Sequence, residues 1–345
     1  MSFFLNETTP EFDGNSTFIA PFDTVGVIVA SLFLIPLTIF GTLSNLLTIW
    51  VIARCPKLKS TFNLFILSLC VSDLTSALHS PFSLYQRTWG YETWALSKPV
   101  CQILWALEHW TSHVTSLHIL CFATLRFISV RYPHFFNRIR PRHSQITIVV
   151  LWTITLGLSF VPYYVWSTVI KRDSRTPPTM ASCLILPSDP SAIIYIRATF
   201  VVLIFIPIIL VTIFSLGISV LVLRSRKKRQ KNRKSVYSLT NSENASDRKR
   251  VAKENKMMLQ LGLIVASYLL GYIPSAVFRF WIAETGLAPT ADWWFSLIQF
   301  LTRRISECLN PVFYNVASSS LRNESKRALG FHVTKGLSTV RTDNT

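Results

Sequence analysis

Long apolar runs separated by short polar or basic stretches make up most of this chain. A bilayer core about 30 Å thick takes roughly 20 mostly apolar residues per crossing helix. A helix is also the form in which such a run satisfies its own backbone groups in lipid. Seven runs have the required length, near 25–52, 61–88, 98–131, 144–168, 190–224, 253–284 and 291–315. Runs three, six and seven carry ionisable residues within them. The pattern predicts an all-α membrane protein with one seven-helix bundle over 25–315. Around it lie an amino-terminal tail (1–24), a connector between runs five and six (225–252), an amphipathic segment (316–330) and a tail (331–345).

Composition sharpens this picture. Charged residues make up 15% of the 345 and hydrophobic residues 50%, against roughly 25% charged in an average soluble domain. Mean hydropathy is +0.37. Those values exclude an ordinary soluble enzyme or nucleic-acid binder, although the net charge is +18. Of the 35 Lys and Arg, 26 fall in connectors one, three and five, in the run ends that border them, or in the tail, thirteen of them from Arg224 to Lys256. Inner loops of membrane proteins gather such residues. The amino terminus is therefore expected outside and the carboxyl terminus inside, and the charge reflects topology rather than a nucleic-acid footprint. Met1–Ala20 lacks the basic leader and apolar core of a signal peptide. It carries glycosylation sequons at Asn6 and Asn15.

Six cysteines narrow to one pair. Cys55 falls in an inner connector, and Cys70, Cys121 and Cys308 fall within runs. Only Cys101 and Cys183 reach the oxidising side, which leaves them as a disulfide or as two free thiols.

The order of several motifs points further. They are Gly41-Thr-Leu-Ser-Asn45 in run one, Leu69-Cys-Val-Ser-Asp73 in run two, and Trp94 seven residues before Cys101. Trp152, Pro207, Gly271-Tyr-Ile-Pro274 and Asn310-Pro-Val-Phe-Tyr314 follow in runs four to seven. From Phe22 to Leu329 the chain resembles the rhodopsin-like (class A) G-protein-coupled receptors. The resemblance implies a plasma-membrane receptor without catalytic chemistry, an extracellular ligand and a heterotrimeric G protein as partners, and a short helix on the inner membrane face near 318–329. Asp73 is a carboxylate deep in an apolar run, where ionisable groups are rare and functional. Asn45 and Asn310 are expected to face it. Pro207, Pro274 and Pro311 free carbonyls and permit kinks that have two packings.

Departures from the family pattern are equally informative. Helix three ends in Leu125-Arg126-Phe127 where the family has a carboxylate, the arginine and a tyrosine. Glu254 stands where a second carboxylate partner is often found, so Arg126 is expected to be held by Glu254 alone, with raised resting activity. Ser215 replaces the helix-five tyrosine that the family sets against the counterpart of Tyr314, and Tyr272 replaces the helix-six tryptophan. The family's sodium pocket maps onto Asp73, Thr115, Ser306 and Asn310, which makes Na+ a candidate there and otherwise no cofactor. Glu307 adds a second carboxylate beside it, either sharing that pocket or pairing with Arg303 or Arg304 one turn earlier.

On the ligand side, Glu108, His109, Arg279, Arg303 and Arg304 are the candidate contacts. A Glu108–Arg304 salt bridge is expected, because an unpaired buried arginine is costly. Arg279 and Arg303, beneath Lys171, Arg172 and Arg175, would then form a basic vestibule suited to a carboxylate-bearing ligand or a peptide with a free or acidic end. Arg304 occupies the place of the retinal-binding lysine, which argues against an opsin. His109 and His113 have a zinc spacing, but hydrogen-bonded histidines are the commoner outcome, and no metal is expected. Trp293 and Trp294 are expected as interface anchors.

The inner connector suits anionic lipid and is expected to be partly disordered. The tail, with Thr334, Ser338, Thr339, Thr342 and Thr345, offers phosphorylation sites for arrestin. Asn310–Arg322 is most similar to neuropeptide receptors. A chemosensory receptor, a non-signalling binding receptor and, more remotely, a transporter are the alternatives. No internal repeat supports the last.

Overall fold

The computed structural model describes residues 19–171, 179–186, 189–235, 241–285 and 289–331. Eight helices carry the fold. They are α1 (Thr24–Arg54), α2 (Thr61–Arg87), α3 (Lys98–Arg131), α4 (Pro141–Trp166), α5 (190–235), α6 (Asn241–Thr285), α7 (Pro289–Ala317) and α8 (Ser319–Ala328). A two-stranded antiparallel hairpin, β1 (Ser167–Val169) with β2 (Cys183–Ile185), lies between α4 and α5.

Local sequence explains where helices begin. Asp23 accepts the Gly26 N–H at 2.7 Å and caps α1. Ser60 caps α2 and Ser318 caps α8 through their side-chain oxygens, as N-cap serines do. Pro36, Pro81, Pro274 and Pro311 lie inside helices. Single π-helical turns interrupt α4 at Leu156–Phe160 and α5 at Val201–Phe205.

Burial is inverted relative to a soluble bundle. Leu32, Phe33, Ile35, Ile39 and Leu43 of α1 face outward, while Gly41, Asn45 and Thr48 face the bundle. Lipid tails are as apolar as these side chains, so small and polar residues gain most from the interior. Six of the seven long helices are long and apolar enough to cross a membrane. The seventh, α7, carries Asp292, Arg303, Arg304 and Glu307, and packs against α6, α1 and α2 inside the bundle.

Cys101 at the start of α3 is bonded to Cys183 in β2, with Cα atoms 5.9 Å apart. Gln86 of α2 donates to the Cys183 carbonyl at 3.2 Å, and the Ser182 N–H donates to the Tyr91 carbonyl at 2.8 Å. The hairpin is thereby fixed to α2 and α3 at one end of the bundle, the disulfide end. The opposite end carries α8.

One expectation is corrected here, and one falls partly outside the described residues. In the connector 225–252, α5 runs to Ser235 and α6 starts at Asn241, and residues 236–240, on which the expectation of partial disorder also falls, lie outside the described residues. Extending an existing helix avoids the nucleation penalty, and Lys, Arg and Gln are good helix formers. Trp293 is a core residue, only 4% exposed; its indole N–H donates to the Arg87 carbonyl at 2.8 Å, so it is no interface anchor. Asn6, Asn15, Arg172, Arg175 and the tail past 331, with its candidate phosphorylation sites, lie outside the described residues, as do the side chains of Glu254 and Arg279.

The α6–α7 contact depends on Gly271. A Cβ there would sit 2.8 Å from the Ser306 Cβ and 3.3 Å from the Thr302 carbonyl oxygen. Overpacking of this kind costs about 1–3 kcal/mol. Gly271→Ala is expected to lower the thermal midpoint of the detergent-purified protein by several degrees, whereas Gly262→Ala, with open space around it, should leave the midpoint unchanged or raise it.

Candidate ligand and switch site

Glu108, Ser112 and Ser116 recur every fourth residue on α3, so they line one face of that helix. The face looks into the bundle, where all three are buried. At the disulfide end, Glu108 accepts from two arginines. Arg87 Nη2 lies 2.8 Å from Oε1 and 3.1 Å from Oε2. Arg303 Nη2 lies 2.7 Å from Oε1. Arg303 Nη1 also donates to Ser112 Oγ at 3.0 Å. The Arg87 guanidinium stands 4.4 Å from the Phe300 ring centroid. One carboxylate thus joins α2, α3 and α7.

The expected Glu108–Arg304 bridge is therefore incorrect in its partner. Arg303 and Arg304 are adjacent on a helix, about 100° apart around its axis, and it is Arg303 that faces α3. Arg304 turns toward α2 instead. Its Nη1 lies 2.8 Å from Glu307 Oε2, and its Nη2 lies 3.2 Å from His79 Nε2. His79 Nδ1–H donates to the Thr75 carbonyl at 2.9 Å, so the ring is neutral and Nε2 accepts from Arg304. Ser76 donates to the same Glu307 oxygen at 2.7 Å. Of the two roles open to Glu307, local pairing is the one observed.

Asp73 receives Asn310 Nδ2 at 3.0 Å and Thr115 Oγ1 at 3.5 Å. Asn45, expected to face it, donates to the Gly41 carbonyl at 2.9 Å instead. A helix-internal carbonyl four residues back is always within reach of a short amide, and here that local bond is the one made. Ser306 faces α6, where Ser267 donates to its carbonyl and hydroxyl at 3.2 and 3.0 Å.

Tyr272 and Tyr268 continue this polar path along α6. The Tyr272 hydroxyl donates to the Ser112 carbonyl at 3.2 Å, and the Tyr268 hydroxyl lies 2.7 Å from Ser116 Oγ. The two rings pack 4.7 Å apart. Ser112 therefore contacts Arg303 of α7 through its side chain and Tyr272 of α6 through its backbone.

At the α8 end, Arg126 Nη2 donates to Gln260 Oε1 of α6 at 2.7 Å, and its guanidinium lies 3.8 Å from the Phe62 ring centroid. Phe127 packs on Phe214 of α5 at 5.4 Å. Ser215 turns back to the Val211 carbonyl at 2.6 Å. The buried Tyr314 hydroxyl has no hydrogen-bond partner among the described residues. His109 stacks on Tyr163, centroids 3.7 Å apart. His113 Nδ1 meets Ser159 Oγ at 2.6 Å. No group of three or more metal-ligating side chains occurs among the described residues.

Arg87, Ser112, Tyr268, His79 and Gln260 are additions to the residues expected from sequence. The i, i+4, i+8 spacing of Glu108, Ser112 and Ser116 was a readable signal. The others sit on helices whose rotation no local pattern reveals.

The 7 transmembrane receptor (rhodopsin family) model matches residues 44–314, and the chain belongs to that family: it is a multi-pass membrane receptor and not an enzyme. It is similar to growth hormone secretagogue receptor type 1 of Sus scrofa, 23% identical over 308 residues, 86% of this chain and 79% of that one. It is also similar to melatonin receptor type 1B of Homo sapiens, 25% identical over 302 residues, 87% of this chain and 77% of that one.

Removing one partner of a buried ion pair costs about 3–5 kcal/mol. Arg304→Met is expected to abolish most surface expression by leaving Glu307 unmatched. The double variant Arg304→Met/Glu307→Gln should recover it in a cell-surface binding assay of an amino-terminal tag.

Proposed function

We propose that this receptor, its amino terminus outside, binds an extracellular ligand between the outer halves of α2, α3, α6 and α7 and activates a heterotrimeric G protein at the α8 end. The observation that carries the reading is the joint contact of Ser112 with Arg303 and Tyr272. A ligand that moves α7 at Arg303 thereby acts on α6 as well, and α6 holds Arg126 through Gln260. Population shift between two packings is the mechanism. The ligand is a carboxylate-bearing small molecule or a peptide, in keeping with the basic excess of the outer site. The relatives are named for a growth hormone secretagogue and for melatonin. Na+ at Asp73, arrestin at the tail and anionic lipid along the basic inner segments complete the proposal. The peptide reading extends to a neuropeptide; a chemosensory ligand is the alternative within the class.

One observation favours a second reading, a binding receptor without coupling. Ser215 leaves the Tyr314 hydroxyl without the partner that would hold an active packing.

Basal activation measured across all G-protein families separates the two. Activity that disappears in Arg126→Ala at matched surface expression supports coupling. Silence in both, together with silence in the variants below, supports the binding receptor. A hydrogen bond to a charged group contributes about 1.5–3 kcal/mol, so Gln260→Leu is expected to raise basal output several-fold. Leu125→Asp, which places a carboxylate beside Arg126, should lower it; unchanged output at equal surface level counts against restraint of Arg126.

A further inference from the structure

Arg87 and Arg303 share one carboxylate, and Arg304 is matched separately by Glu307. The outer cluster therefore holds two guanidiniums against one negative charge. Their side chains are only 10% and 12% exposed. A cation at such a site is poorly solvated and lowers its energy by meeting an anion. Arg87 Nε, Ser83 Oγ and Trp105 Nε1, the last one turn above Glu108 on α3, are buried polar atoms with no hydrogen-bond partner among the described residues. Arg87 and Trp105 thus offer donors that the fold leaves unused, and an unused buried donor in a native structure calls for an explanation.

From this we infer that Arg87 and Arg303 form the anion subsite of the receptor, and that Glu108 fills it at rest as a tethered carboxylate. A ligand that brings its own carboxylate joins Glu108 on the two guanidiniums, matches the second positive charge and so loosens the tie of α3 to α7. The inference rests on the receptor reading and gives it a chemical trigger. Arg87, absent from the sequence-based candidates, becomes half of the recognition site. Arginine suits the role because its planar fork meets a carboxylate with two donors.

The test has two arms. In the first, full-length receptor is purified in detergent and its thermal midpoint is followed against sodium formate at constant sodium and ionic strength, with formamide as the neutral control. Glu108→Ala, which empties the subsite, should gain a saturable rise of roughly 3 °C or more with formate alone. Glu108→Ala/Arg303→Gln should lose that rise. An equal response to formate and formamide, or an undiminished rise in the double variant, overturns the anion subsite. Should Glu108→Ala not fold, Glu108→Ser serves the same titration.

The second arm measures basal G-protein activation at matched surface level. Glu108→Gln should raise it at least about threefold, since a tie of the strength usual for a charged hydrogen bond is lost. Unchanged output in Glu108→Gln while Gln260→Leu rises overturns the loosening of α3. Silence of both variants with the formate response intact refutes the G-protein reading and leaves the subsite standing. The two ideas therefore fail separately.

Discussion

A charge buried in a bundle that faces lipid has to be matched by the bundle itself, and that requirement organises this protein. Glu108, Glu307 and Asp73 are only between 1% and 3% exposed. Each therefore fixes the position of its partners. Glu108 brings α2 and α7 to α3, and Glu307 holds Arg304 and Ser76, so α7 meets α2 again one turn deeper. Asp73 repeats the α2–α7 link through Asn310. The outer apolar faces set no such register, because lipid accepts any rotation of a Leu- and Ile-rich surface. Buried polar pairs specify the rotations of α2, α3 and α7, and close contacts such as Gly271 on Ser306 specify how near α6 comes.

This division explains what was readable in the chain. The seven spans, the disulfide and the short α8 follow from run length, connector charge and motif spacing, which are local or nearly so. Which arginine faces Glu108 is a different kind of fact. Arg303 and Arg304 are adjacent, and a rotation of about 100° exchanges them. No periodicity argument decides that, since α7 is buried on several sides. The same holds for Arg87, which closes α2 beyond Pro81 and reads as an ordinary terminal basic residue. Its carbonyl receives Trp293 and its guanidinium reaches Glu108, contacts that exist only once α2, α3 and α7 are assembled. Asn45 shows the converse. A family-like position suggested Asp73, but its own helix offers a closer acceptor.

The departures from the family pattern also acquire a physical sense. Tyr272 replaces a bulky indole by a ring that ends in a hydroxyl, and the hydroxyl reaches a backbone carbonyl of α3. With Tyr268 on Ser116, α6 is held to α3 by two neutral hydrogen bonds about one turn apart. A neutral hydrogen bond contributes only about 0.5–1.5 kcal/mol net, so these are contacts that a modest ligand energy can exchange for others. At the α8 end, Arg126 likewise has, in place of a carboxylate next to it, a neutral amide, Gln260, and an aromatic face, Phe62.

The strong and weak ties are therefore unevenly placed. Charge pairs concentrate in the disulfide half and middle of α2, α3 and α7, while neutral hydrogen bonds secure α6 to α3 and one guanidinium–amide bond joins Arg126 to α6. A switch between two packings needs a part that stays together and a part that moves. The α2–α7 ties through Glu307 and Asp73 have the character of the first, and α6 has the character of the second. Ser112 lies where they meet, since it accepts Arg303 on its hydroxyl and Tyr272 on its carbonyl. A shift of Arg303 alters the hydroxyl's bonding on the same residue whose carbonyl positions α6. Coupling between the two ends then requires no long chain of charges. It requires one residue that belongs to both the rigid and the mobile part, and a helix, α6, long enough to carry the displacement from Tyr272 to Gln260.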